Sequence, residues 1–193
     1  EAGSMNAPAM AQAHAMAAAA AAVEGNRQAQ TDGFARAVFF ADQARNDLNS
    51  IDILRTLALC AQVAGDYEQA ERWARSSAIM GLRHSCYYPT FSILMVLVSL
   101  AHRRGGLDEA RFFLTEASYF LTTGLLLPYK DVILYYYYSG ILNQDGSSDK
   151  SLALARRLLD DEKKRLEKPE LVQALLKVRG FAMVENSGKD TSL

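Results

Sequence analysis

Apolar positions recur along this chain at the three- and four-residue spacing of a single helix face. One such face runs through Leu54, Leu57, Ala58 and Ala61. A second runs through Leu94, Leu97, Val98 and Ala101, and a third through Tyr135, Tyr138, Ser139 and Leu142. Each run leads into a glycine, Gly65, Gly105 or Gly146. Glycine closes a helix there because it takes the left-handed cap without strain. Asp66 and Asp108 suit the start of a following helix, where a carboxylate meets free backbone N–H groups. The predicted unit is therefore helix, tight turn, helix.

The second half of the unit is written more than once. The stretch Gly65-Asp66-Tyr67-Glu68-Gln69-Ala70 has a counterpart in Gly105-Gly106-Leu107-Asp108-Glu109-Ala110. Both have a bulky residue three before the reference alanine and a small one, Ser77 or Ala117, seven after it. Asp32 to Ala37 falls into the same frame, with Phe34, Ala37 and Ala44 in the matching slots, and Gly146 to Ser151 makes a weaker fourth copy. The reference positions Ala37, Ala70, Ala110 and Ser151 lie 33, 40 and 41 residues apart, a period that signals an array of repeats. Small residues such as Ala58, Ala70 and Ser77 let helices approach closely, and large ones such as Leu57, Tyr67 and Trp73 fill the spaces between them. A lone hairpin cannot bury its apolar face, so the units must stack.

Small at the eighth position, bulky at the seventeenth, alanine at the twentieth and small at the twenty-seventh is the tetratricopeptide repeat pattern. The chain resembles that family from about Ala18 to Leu158. It departs from the pattern in its spacings of 40 and 41, which imply longer helices or loops than the standard repeat of about 34 residues, and in three choices of residue. Leu54, Leu94 and Tyr135 stand in the usual tryptophan slot, the closing proline is missing, and Glu24 stands where a core leucine belongs. The resemblance implies an all-α, right-handed superhelical array of three to four helical hairpins. The expected division is a tag remnant and alanine-rich segment over 1–17, repeats over 18–168, a C-terminal capping helix over 169–185 and a flexible tail over 186–193. The cap is read from Leu171, Leu175, Val178 and Ala182 after Pro169, a residue suited to a helix start.

In this family the first helix of each unit lines a concave groove that binds peptides or helices. Carried over position by position, the groove comprises Asp52, Arg55, Leu59, Gln62 and Val63 in one unit. The next supplies Ser92, Met95, Ser99, His102 and Arg103, and the last supplies Ile133, Tyr136, Gly140, Asn143 and Gln144. Leu59, Met95, Ile133 and Tyr136 would be apolar sockets. Gln62, Asn143 and Gln144 would pair with a peptide backbone, and Arg55 and Arg103 would hold a carboxylate. Ser99 and His102 complete the partner-binding set. In the run Tyr135-Tyr136-Tyr137-Tyr138 the resemblance implies core places for Tyr135 and Tyr138 and turns Tyr136 to the groove as an aromatic anchor.

Composition narrows the classes. Half of the 193 residues are hydrophobic and 22% are charged, which supports a packed core. A formal net charge of −1 argues against a nucleic-acid binder. Two cysteines make no disulfide framework and fit a reducing, cytoplasmic setting. No apolar run reaches membrane-spanning length. Ala7 to Val23 has no basic residue ahead of it to make a signal peptide and reads as an alanine-rich helix, one that could pair with its own copy as a homodimer.

Catalytic chemistry is not visible. His14, His84 and His102 lack metal-ligand spacing, Cys86 beside His84 has no second pair to complete a zinc site, and no glycine loop resembles a phosphate cradle. The reading is a non-enzymatic scaffold, adaptor or chaperone without cofactor or metal, binding a protein or peptide. In size and repeat content the chain resembles the repeat-containing chaperones of bacterial type III secretion. The rival is a sensor or regulatory domain that controls a transcription or signalling partner.

Overall fold

A seventeen-residue helix followed by a three-residue connection is the step on which the first five helices are laid out. The computed structural model describes residues 6–44, 47–123, 126–143, 148–166, 168–172 and 181–187. Five helices of 17 residues come first: α1 (Ala7–Val23), α2 (Arg27–Gln43), α3 (Asp47–Val63), α4 (Tyr67–Arg83) and α5 (Tyr87–Arg103). Then follow α6 (Leu107–Leu121), α7 (Tyr129–Leu142), α8 (Ser148–Arg165), a helical turn at 169–172 and α9 (Phe181–Asn186). Among the described residues there is no strand; the fold is all-α, its helices packed in adjacent pairs.

Four of the described turns share one geometry. The N–H of Asn26, Asp66, Cys86 and Gly106 reaches back to the carbonyl of Ala21, Ala61, Gly81 and Ala101 at 2.8, 2.9, 2.9 and 2.9 Å. That six-residue closure requires a left-handed residue just before the donor. Gly25, Gly65 and Gly105 supply it with φ of 77°, 79° and 80°, and Ser85 does so at 53°. The next helix is then capped: Asn26 Oδ1 accepts from Ala29 N–H and Asp66 Oδ1 from Gln69 N–H. Gly65 and Gly105 thus close helices as expected, whereas Gly146 lies outside the described residues.

This metric corrects the first repeat. The frame started its phrase at Asp32, but the turn lies at Gly25-Asn26, forty residues before Gly65-Asp66, and Gly33 is buried within α2. Ala37 is therefore the counterpart of Ser77 and Ala117, all three with 0% exposure, and not of Ala70. Glu24 is exposed and does not occupy the core place the frame gave it. It is the C-cap of α1, which runs unbroken across the expected boundary between residues 17 and 18.

The chain divides into two compact units, Glu1–Leu100 and Ala101–Leu193. In the first, α1 lays Ala7, Ala11, Ala15 and Ala19 against Ala37 and Ala44 of the α2 segment and Ile53, Leu57 and Cys60 of α3. The alanine-rich segment is thus docked as half of a hairpin. Its buried side chains all end at Cβ, so the neighbouring backbones come close; a Cβ added at Gly33 would lie 2.8 Å from that of Ala18. Phe34 of α2 meets Trp73 of α4 with ring centroids 5.6 Å apart. Ser77 is buried in α4 and donates its hydroxyl to the Ile51 carbonyl at 2.9 Å. Every residue from Thr90 to Val98 of α5 is buried, as suits a helix apolar on all sides.

In the second unit, α6 buries Ala110, Phe113, Leu114, Ala117 and Phe120. Arg111 of α6 donates to the Leu142 carbonyl of α7 at 2.9 Å. Helix α7 packs closely on α8 at Gly140, where any Cβ would run into Leu152. Within the tyrosine run, Tyr137 and Tyr138 are buried and Tyr135 is only half-buried, so Tyr137 takes the core place expected for Tyr135. The predicted cap is described in part. Phe181 and Val184 of α9 are fully buried, Lys163 pairs with Glu185 at 2.8 Å, and Arg156 donates to the Ser187 carbonyl at 2.6 Å. Leu175 and Val178 lie outside the described residues.

Candidate functional site

The face expected to bind a partner is carried by the first helix of each hairpin. In the first unit these are α1, α3 and the part of α5 up to Leu100, and side-chain hydrogen bonds tie them together. Gln12 Nε2 of α1 donates to Asp52 Oδ2 of α3 at 3.2 Å. Arg55 donates to Asp52 Oδ1 through Nε at 3.0 Å and Nη2 at 2.7 Å. Further along α3, Gln62 Nε2 donates to Ser99 Oγ of α5 at 3.2 Å. Leu59 lies between these links, four residues after Arg55 and three before Gln62, and is half-buried. Arg55, Leu59, Gln62 and Ser99 thus fall on one partly exposed surface.

Three of the expected groove placements do not hold in this unit. Met95 is 1% exposed and belongs to the core, because α5 is covered on every side at that level. Ser92, at 1%, is buried with it. Arg55 is not a spare cation: the carboxylate three residues before it on the same helix takes both its Nε and one terminal nitrogen. The charge on this surface is consequently neutralised from within.

The second unit keeps fewer of the predicted residues at its surface. Ile133 is 0% exposed and packs in the core, so it offers no socket. Tyr136 is half-buried, its ring edge-on to Tyr135 at 5.4 Å between centroids. His102 is half-buried, with its ring edge-on to Tyr138 at 5.5 Å, and Arg103 is exposed. Asn143 is half-buried and its backbone carbonyl accepts from the Ser148 hydroxyl. Gln144 lies outside the described residues.

Sequence reasoning missed Gln12. Its signal was distance alone, since it stands forty residues before Asp52, which stands forty before Ser92. With α1 set outside the repeats, that register could not be used.

The remaining chemistry is sparse. Among the described residues no group of three His, Cys, Asp or Glu side chains could hold a metal ion. Cys60 and Cys86 are free thiols. Burial pushes Cys60 up to about 11, which keeps it protonated and weakly nucleophilic near neutral pH. Among the described residues no helix is long and apolar enough to cross a membrane. Comparison of the chain with protein-family models, with curated proteins and with solved structures returns no match.

Proposed function

We propose that this protein is a non-enzymatic binding scaffold, an adaptor or chaperone of tetratricopeptide-like build. It would hold a segment of another polypeptide against the exposed face of its first helices. The observation that supports this most is the linked surface of the first unit, where Arg55, Leu59, Gln62 and Ser99 are partly exposed, Gln12 of α1 and Arg55 both bond Asp52 of α3, and Gln62 bonds Ser99 of α5. Such cross-links hold the side chains in place before a partner arrives, which lowers the entropic cost of binding. The Asp52–Arg55 pair removes Arg55 from the reading as a carboxylate clamp. The preferred partner segment is therefore uncharged where it meets α3, with one apolar side chain on Leu59 and hydrogen-bonding groups beside Gln62 and Ser99. Two free cysteines suit a reducing compartment, and the cytoplasm is the proposed location.

The test compares proteins captured from the native host by the parent chain and by a Leu59→Ala, Gln62→Ala variant. Helical circular dichroism and urea midpoint serve as controls for folding. A protein retained by the parent and lost at least about tenfold with the variant, the cost of roughly 1.4 kcal/mol, supports the reading. Identical captures by the two folded proteins remove the α3 surface from it.

A further inference from the structure

We draw no further inference here: the strongest candidate, the outer face of α1, which carries no charged residue and exposes Met10, Met16 and Val23, is an unpartnered apolar surface and nothing in the structure shows what covers it.

Discussion

Ser85 occupies the left-handed position that glycine fills in the three sister turns. A Cβ there crowds the following carbonyl, a cost of roughly 1–2 kcal/mol, partly offset by the greater freedom of glycine in the unfolded chain. Ser85→Gly is therefore expected to raise stability by about 0.5–1 kcal/mol in urea unfolding. Gly65→Ala should lower it by about 1 kcal/mol, since an added Cβ meets no atom within 4 Å and only the backbone is strained. Cys60 makes a second residue-scale case. Its thiol is raised from 9.0 to about 11 by burial, so the native state keeps a proton that the unfolded chain begins to release near pH 9. Its contribution to stability is intact below that pH and is lost as the pH rises through 11. The urea midpoint should fall between pH 8.5 and 10.5, and fall less steeply in Cys60→Ala. In the native protein at pH 8 a thiol reagent should modify partly exposed Cys86 well before buried Cys60. Equal labelling rates would contradict the packing of α3 on α1.

Between elements, the close crossings rest on missing side chains. Gly81 of α4 lies against Thr90 of α5, and a Cβ at Gly81 would run into the Thr90 hydroxyl. That hydroxyl donates to the Cys86 carbonyl at 2.6 Å, so it is not free to swing aside. Gly81→Ala is expected to cost about 1–3 kcal/mol as an overpacked site. Thr90→Ala in the same chain should recover part of that loss, which a double-mutant cycle would measure as a favourable coupling. Additive effects would mean that the two helices do not meet there. The same scale explains what the sequence made legible. Helix–turn–helix units, the closing glycines at Gly65 and Gly105 and the α3 face were all readable, because each rests on a local rule. The first repeat was misplaced by seven residues, and the reason is geometric. Seven residues turn a helix through nearly two full turns, leaving a drift of only about 20°. Ala37 and Ala44 therefore share a face and satisfy a frame shifted by a heptad, and both are buried. The turn signal Gly25-Asn26 would have broken the tie. The site was less legible, since burial at Met95 and Ile133 comes from neighbouring helices that a position-by-position carry-over does not see.

At the scale of the molecule, the twenty-residue step makes the first unit extendable. Residues 47–86 contain α3, its turn, α4 and the turn that follows, forty residues in all. Ser50 stands forty before Thr90, so a second copy of α3 placed after Cys86 would present a small hydroxyl to Gly81 much as Thr90 does. Ala18, Ala58 and Val98 likewise repeat at this distance, each with 0% exposure, so the inserted helix would bring its own buried residue to the matching level. Stability in such arrays is close to a sum over units and nearest-neighbour contacts. A chain carrying 47–86 twice in tandem is thus expected to fold with ellipticity per residue no lower than the parent's. Its urea dependence should be steeper, because more surface is exposed on unfolding. The control is the same duplication with one extra alanine after Ile51 in the inserted copy. That residue turns everything beyond it by about 100° and takes Leu57 and Ala58 off the packing face. The control should be clearly less stable than the forty-residue insertion. Equal stability of the two, or aggregation of both, would show that the forty-residue register does not hold the hairpins together.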